Sequence, residues 1–208
     1  MFIKFFPSGP LDTNVVLVAC PETREAAIFD APFGSLSFLE EEIEKYSLLP
    51  KMILLTHSHW DHIGDLFLIK NKFSVPIYVH QEDRQNVEHP GVDGLPLAMP
   101  VEATEVDYEL SDQQVLKLGS LEIKALHTPG HTPGGVCFFF PKEKVLISGD
   151  TLFRGTIGNL NFKTGRPRLM SSSLEKLLKL PKETLVIPGH GETTTIDQEQ
   201  IQMRRFIR

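Results

Sequence analysis

The sequence has few of the features that would restrict its function at the outset. Its 208 residues include only two cysteines, Cys20 and Cys137. They predict neither a disulfide framework nor a paired-cysteine metal motif, and both are expected to pack as small apolar groups. No apolar run approaches the ~20 residues of a membrane span, and the apolar start at residues 1–6 is too short for a signal peptide. We therefore expect a cytoplasmic protein with no membrane partner.

Basic residues are also fewer than acidic ones. The chain carries 21 Lys and Arg against 27 Asp and Glu, which gives a formal net charge of -6. This balance argues against a broad nucleic-acid surface. A hydrophobic content of 41% is enough for a sizeable core. Without a repeat, linker or low-complexity tract, the sequence predicts a single domain over residues 1–208.

Metal-ligating side chains are concentrated in one stretch, residues 56–62, with the sequence THSHWDH. An apolar, β-prone segment precedes it and a helix-like segment follows, so it is predicted to form a strand-to-helix turn. Side chains two apart in extended chain share a direction, so His57 and His59 can converge on one ion. Asp61 and His62 are adjacent and can serve a second ion. The alternative is a polar turn whose histidines are solvated.

Three further predicted strands end in side chains of the same kind. They lead to His131, Asp150 and His190, each of which follows a glycine. Strand ends at one rim of a sheet are a common place for a site, because the sheet is rigid and its loops are free to vary. The glycines allow the backbone to approach closely there. We therefore expect these side chains to meet the early histidine cluster.

Other segments are predicted from caps, periodicity and composition. A helix is expected from an N-cap at Ser35 to about Tyr46, and another from a cap within residues 171–173. Asp30 is interpreted as a turn cap, with a hydrogen bond near the site as the alternative. Residues 85–107 are rich in acids, proline and glycine and lack periodicity, which predicts a long lid or binding loop.

Together the motifs resemble those of the metallo-β-lactamase superfamily. THSHWDH, TPGHTPG, SGDTLF and IPGHG match its metal motifs in order over nearly the whole chain. The resemblance implies an α+β fold, a four-layer αββα sandwich, with two metal ions between the sheet edges. It implies that the first ion is bound by His57, His59 and His131. It implies that the second ion is bound by Asp61, His62 and His190, with Asp150 bridging both.

The implied cofactors are two divalent ions, with zinc as the expected metal and iron and manganese as alternatives. Asp61 and Asp150 would offset their charge and are the predicted catalytic residues. A hydroxide held between the ions would have its pKa lowered towards ~7 and would attack a substrate carbonyl. His127 is a rival ligand, but the motif register favours His131, so His127 is interpreted as a supporting or structural residue. His80 is also predicted to be structural.

Asp150 favours one branch of the superfamily. A bridging aspartate resembles the glyoxalase II-like thioesterases, in particular their short single-domain members, so the expected substrate is a thioester such as S-hydroxyacylglutathione. The chain ends at Arg208, and the C-terminal helical domain of glyoxalase II is expected to be missing. Asn159 and Asn161 stand where the resemblance implies a basic residue and a tyrosine. Arg154 and Asn159 are the predicted substrate-binding residues.

Several other functions remain as alternatives. A persulfide dioxygenase-like enzyme would use one iron and O₂, and a lactonase or β-lactamase-type hydrolase would share the metal centre. A ribonuclease Z-like phosphodiesterase is disfavoured by the acidic balance. A metal-stabilised binding module is disfavoured because structural zinc sites are usually closed tetrahedra. The expected partner is a small thioester or ester, and homo-oligomerisation is left open.

Overall fold

Two six-stranded β-sheets form the centre of the computed structural model, which describes residues 1–207. In the first sheet the strands follow chain order, and the last four pair in parallel. These strands are β1 Phe2–Ser8, β2 Thr13–Ala19, β3 Glu25–Phe29, β4 Leu49–Leu54, β5 Ile77–His80 and β6 Tyr108–Leu110. The predicted N-terminal edge strand is confirmed as β1.

The second sheet takes its strands from the other half of the chain, in reverse spatial order. All its pairs are antiparallel except one. The strands are β7 Val115–Leu118, β8 Leu121–His127, β9 Val136–Phe140, β10 Val145–Gly149, β11 Leu185–Pro188 and β12 Thr194–Thr195. The parallel pair is β10 with β11.

Five helices cover the outer faces of the two sheets among the described residues. They are α1 Ser35–Lys45, α2 Leu66–Phe73, α3 Gln81–Glu88, α4 Pro167–Leu177 and α5 Ile196–Phe206. Side chains of α1, α2 and α3 pack on the first sheet, and those of α4 and α5 pack on the second. This arrangement confirms the predicted αββα sandwich. Within residues 1–207, no helix has the length and apolar character that crossing a membrane requires.

Alternation along the strands explains the layers. In β2, Val15 and Leu17 pack towards the helices, whereas Val16 and Val18 point into the space between the sheets. Successive side chains of a strand face opposite sides, so a strand that is apolar at every position is buried on both faces. β9, with the sequence VCFFF, follows the same rule, and all five of its residues are buried.

The core between the sheets is rich in phenylalanine. Phe29 of β3 contacts Phe138 and Phe140 of β9, with ring centroids 5.2 and 6.0 Å apart. Both cysteines are buried, as expected: Cys20 lies in this central core and Cys137 in the core between the second sheet and its helices. Aromatic area of this kind, removed from water, is a main stabilising term of the sandwich.

Three helix predictions need correction. Ser35 is the first residue of α1, and Gly34 occupies the cap position with a φ of 77°. The second predicted start, within residues 171–173, is wrong because α4 begins at Pro167, whose fixed φ suits a first helical turn. The predicted loop over residues 85–107 is wrong for its first four residues, which belong to α3. The sequence of α3, QEDRQNVE, shows no apolar periodicity, because the residues on its buried face are largely polar.

Candidate metal centre

The predicted metal-ligating side chains lie at one rim of the sandwich. The loop after β4 supplies the early cluster, and those after β8, β10 and β11 supply His131, Asp150 and His190. One sheet therefore contributes the first stretch of the site and the other sheet contributes the rest. The rigid sheets position loops that are distant in sequence within bonding reach of one another.

His57, His59 and His131 form one group, with their ligand atoms all within 4.8 Å of one another. The Nε2 atom of each is buried and has no hydrogen-bond partner within the described residues. Leaving a buried polar atom unpaired costs free energy, and three such atoms in one place are unusual for a folded protein. A divalent ion would satisfy all three nitrogens, so we interpret this group as the first half of a metal centre.

Asp61, His62 and His190 form a second group with the same spacing. The Nε2 atom of His190 lies 3.3 Å from that of His62 and 3.3 Å from Asp61 Oδ2. Two imidazoles and a carboxylate supply both the neutral and the anionic ligands that zinc, iron and manganese accept. This group is therefore a candidate for a second ion.

Asp150 lies between the two groups. Its Oδ2 is 3.3 Å from His131 Nε2, and its Oδ1 is 3.4 Å from His62 Nε2. It also belongs to a third group of candidate ligands, with His57 and His62. Its Oδ2 is also 3.6 Å from His190 Nε2, so this carboxylate lies close to ligands of both triads and is placed to bridge two ions.

Glycines allow this packing. Gly149, just before Asp150, has a φ of 49°, and a Cβ there would lie 2.5 Å from Thr56. A Cβ at Gly189, just before His190, would overlap Asp150 Oδ1. The predicted close backbone approach is confirmed at both positions, because a larger residue would force the metal-ligating loops apart.

Burial controls the protonation of His57 and His59. Burial, followed by the neighbouring imidazoles, lowers the pKa of His57 well below its usual value and lowers the pKa of His59 to about 3. Desolvation disfavours the imidazolium form. Both rings are therefore neutral at physiological pH, with a lone pair free for a metal ion.

The second triad behaves in the opposite way. Burial would lower the pKa of His62, but the carboxylates of Asp61 and Asp150 outweigh it and raise that pKa well above its usual value. Burial likewise acts to raise the pKa of Asp150, yet the facing His62 brings it down to about 2. These carboxylates therefore attract positive charge at this position, which is the property a site for cations requires.

Asp30 supports the centre from behind, which corrects its predicted role as a turn cap. It accepts hydrogen bonds from the Thr56 backbone N at 2.7 Å and from Thr56 Oγ1 at 2.8 Å. It also pairs with Nδ1 of His62 at 2.9 Å. A carboxylate bonded to the far nitrogen of a ligand histidine fixes the ring orientation and increases its basicity. Asp30 lies at the end of β3, beside β4, so sheet pairing brings it to the site.

Backbone oxygens orient two other imidazoles. His131 donates from Nδ1 to the Asn159 carbonyl oxygen at 2.8 Å, and His190 donates from Nδ1 to the Leu11 carbonyl oxygen at 3.0 Å. Each bond places the proton of the neutral ring on Nδ1, so that Nε2 faces the centre and supplies the lone pair when a metal ion replaces its proton. Thr13 Oγ1 donates to Asp61 Oδ2 at 2.9 Å and holds that carboxylate in place.

His127 lies outside all three groups of candidate ligands in the described chain. Its Nε2 donates to the Pro133 carbonyl oxygen at 2.9 Å, and its ring stacks on that of His80 with centroids 3.8 Å apart. His80 in turn accepts a hydrogen bond from the Glu82 backbone N and caps α3. Both rings thus have structural contacts where strands of the two sheets end.

The predicted substrate-binding residues have other contacts in this structure. Arg154 pairs with Glu192 on the surface. Asn159 uses its carbonyl oxygen on His131, and its side chain accepts from the Asn161 backbone N at 3.0 Å. Their role towards a substrate remains a prediction.

Sequence reasoning missed Phe162, which covers one side of the centre. Its ring contacts those of His59 and His131 at centroid distances of 5.4 and 5.5 Å. It stands in a loop rich in glycine and asparagine without apolar periodicity, so no sequence pattern marks it.

Two cavities adjoin the same region. One, of about 170 Å³, is lined by His59 and Asp93, and one of about 910 Å³ is lined by Gly158 and Arg168 among others.

Known proteins share this arrangement of sequence motifs and fold. The sequence pattern of the metallo-β-lactamase superfamily matches residues 8–190, and the chain belongs to that superfamily. It is 35% identical over 208 residues to the hydroxyacylglutathione hydrolase GloC of Haemophilus influenzae (strain ATCC 51907 / DSM 11121 / KW20 / Rd), with 96% of this chain and 95% of GloC covered.

Two solved structures are similar over nearly the whole chain. The crystal structure of the B3 metallo-β-lactamase BLEG-1 has a TM-score of 0.91 and 35% identity, with 100% of both chains covered. That of TTHA1623 in a di-iron-bound form has a TM-score of 0.81 and 33% identity, with 95% of this chain and 96% of that one covered. The fold is thus the metallo-β-lactamase fold, and its rim carries a candidate metal-binding cluster typical of metallo-hydrolases.

Proposed function

We propose that this chain is a hydrolase that holds two divalent metal ions and cleaves a thioester such as S-hydroxyacylglutathione. The observation that carries the proposal is the pair of ligand triads with Asp150 between them at a buried rim. The similarity to GloC supports the glyoxalase II-like branch and the thioester, and the similarity to a di-iron protein supports two ions. Zinc is the proposed metal, with iron and manganese as alternatives.

The residues present fit such a pair of ions. The three unpaired Nε2 atoms would bind the first ion, the Asp61 group would bind the second, and Asp150 would bind both. When bound, the ions lower the pKa of a coordinated water and polarise the carbonyl of the substrate.

Side chains of the chain supply the orientation. In the proposal, Asp61, fixed by Thr13, accepts a hydrogen bond from the attacking water and holds it towards the substrate carbonyl. Phe162 shields one side of His59 and His131 from solvent, which strengthens electrostatic interactions at the centre. Arg154 would leave Glu192 to bind a substrate carboxylate, and Asn159 would be the second substrate-binding residue. The proposed partner is this small molecule, met in the cytoplasm, rather than nucleic acid or membrane.

The test combines metal content with a substrate panel. We expect about two transition-metal ions per chain by elemental analysis of metal-replete protein, together with turnover of an acyl-glutathione thioester. Asp150→Ala should abolish that turnover and reduce metal retention, because the remaining positive charge is less compensated. Fewer than one ion per chain, or unchanged turnover in the variant, would contradict the proposal.

β-Lactam hydrolysis is a second candidate, favoured by the similarity to BLEG-1 over the full chain. A β-lactam and a lactone therefore belong in the same panel. Turnover of either in preference to the thioester would replace the first proposal. Oxygen uptake with glutathione persulfide, at one iron per chain, would instead indicate a dioxygenase.

A further inference from the structure

A buried carboxylate on α3 joins the two loops that carry the first triad. Asp83 is 2% exposed. Its Oδ2 accepts a hydrogen bond from the Ser58 backbone N at 2.9 Å, and its Oδ1 accepts one from the Gly134 backbone N at 2.7 Å. Ser58 stands between His57 and His59, and Gly134 stands three residues after His131. One side chain therefore spans the gap between the two sheets at this triad.

The next turn of the helix bonds to the same residue through its carbonyl group. Asn86 Nδ2 donates to the Ser58 carbonyl oxygen at 2.7 Å, so α3 bonds both polar backbone groups of Ser58. Asn86 Oδ1 also accepts from the Gly91 backbone N at 3.0 Å. The segment between His57 and His59 is thus fixed against the helix rather than free to move with solvent.

The loop of His131 is shaped to receive Asp83. A Cβ added at Gly134 would lie 2.5 Å from Asp83 Oδ1, so only glycine allows the carboxylate to come this close. Burial raises the pKa of Asp83, and it forms no ion pair with a basic side chain in residues 1–207. A buried carboxylate without a cation is costly, and a neighbouring divalent ion would reduce that cost.

We propose that Asp83 is a positioning residue for the first metal ion: it sets the distance between the loop of His57 and His59 and the loop of His131. It has no contact with Asp61, His62 or His190 among its hydrogen bonds in the described chain. Its effect is therefore selective for one of the two ions. This inference rests on the two-ion site proposed above, and removal of a residue that orients ligands typically lowers metal affinity 10–100-fold.

The experiment measures metal retention rather than turnover. Metal-loaded wild type, Asp83→Asn and Gly134→Ala are equilibrated with increasing chelator, and the metal left on each chain is quantified. In Asp83→Asn the side chain keeps its volume but offers one acceptor oxygen to two N–H groups. In Gly134→Ala the added methyl group displaces the Asp83 carboxylate from the loop of His131. In both variants we expect one ion to be lost at chelator about 10-fold more dilute than in wild type, with the other ion retained as before.

Asp65→Asn is the matched control. Asp65 is also buried and accepts a backbone hydrogen bond, from Leu36 N at 3.2 Å, but it joins two helical segments and not the two metal-ligating loops. We expect this variant to retain both ions like wild type, even if its melting temperature falls.

Double variants assign the ion that is affected. Asp83→Asn should change nothing when added to His131→Ala, which already lacks the first site, and should weaken the remaining ion about 10-fold in His190→Ala. Parallel loss of both ions, or no loss at all, would overturn the positioning role. If wild type holds a single ion, the two-ion function is wrong, and the test of Asp83 then uses that ion. Weaker retention of the ion by Asp83→Asn than by wild type supports the positioning role, and unchanged retention overturns it.

Discussion

At the scale of single residues, metal binding by the first triad would depend on neutral imidazoles and on the orientation of each ring. His131 is turned by its bond to the Asn159 carbonyl oxygen, and His57 and His59 are kept neutral by burial. In each ring, Nε2 is left without a partner in the described structure. The environment of each histidine, and not its presence alone, makes it a candidate ligand.

This environment predicts different results for the two histidines of the TPGHTPG region. His131→Ala removes a ligand of the first triad, so we expect metal content to fall by about one ion per chain. His127→Ala removes only a stacked ring and a hydrogen bond to Pro133, so both ions should remain and stability should fall by about 1–2 kcal/mol. Elemental analysis and urea unfolding measure these effects. The reverse order of metal loss would exchange the two roles.

Asp30 gives a second prediction at this scale. The N–H groups of Thr56 and His62 bond to different oxygens of Asp30, and Asp30→Asn replaces one of these oxygens by N–H₂ and removes the negative charge, so the pairing that orients His62 is weakened. We expect affinity for the second ion to fall 10–100-fold, measured by competition with a chromophoric chelator. Asp107→Asn is a fitting control, because Asp107 also holds a backbone N–H, of Ile77, and belongs to none of the groups of candidate ligands in the described chain. Equal affinities in Asp30→Asn and wild type would show that the contact is dispensable.

Local spacing explains which residues were predictable. His57, His59, Asp61 and His62 lie within one turn, and His131, Asp150 and His190 follow apolar strands, so pattern alone marks them. Asp30 reaches its partner Thr56 across 26 positions, and Asp83 reaches Gly134 across 51. Such contacts are created by sheet pairing and helix packing and leave no periodic trace in the sequence.

At the scale of elements, strands were easier to predict than helix boundaries. β2 and β9 are continuous apolar runs, and such runs identify buried strands. α3 was missed because its buried residues include Asp83 and Asn86, whose partners are loops of the metal centre. A helix whose buried residues are polar because they bond to a functional site cannot be identified by hydrophobic periodicity.

β9 supplies a prediction about stability. Phe138 is fully buried between the sheets against Phe29, so Phe138→Ala should leave a cavity and lower the free energy of unfolding by about 3–5 kcal/mol. Urea unfolding at fixed metal concentration measures the change. Phe5→Ala, on the edge strand β1 where the ring is 42% exposed, should cost no more than about 0.5 kcal/mol. Similar losses in the two variants would argue against a tightly packed central core.

At the scale of the whole molecule, the histidines make the stability of the metal-free protein depend on pH in two directions. His57 and His59 have lowered pKa values, so the unfolded chain binds more protons than the folded one below about pH 6.5, and acid destabilises the fold. His62 and His190 have raised pKa values, so their contribution is complete below about pH 6.5 and is lost as pH rises through the folded-state values.

The two effects predict a maximum. Melting temperatures of chelator-treated protein should be highest near pH 6.5, at about the unfolded-state pKa of histidine, and should fall on both sides. Differential scanning calorimetry from pH 5 to pH 8.5 would measure this profile. A melting temperature that rises steadily across the range would contradict the raised pKa values of His62 and His190.

Each triad draws on both sheets: the loop after β4 gives the early donors, and the loops after β8 and β11 give the late ones. Each proposed ion would therefore take ligands from both halves of the polypeptide. During synthesis on the ribosome, the second triad is complete only after His190 has emerged and β11 has paired with β10. In the proposed two-ion centre, the second ion would therefore be bound late in the making of this protein, by a chain whose two sheets are already paired.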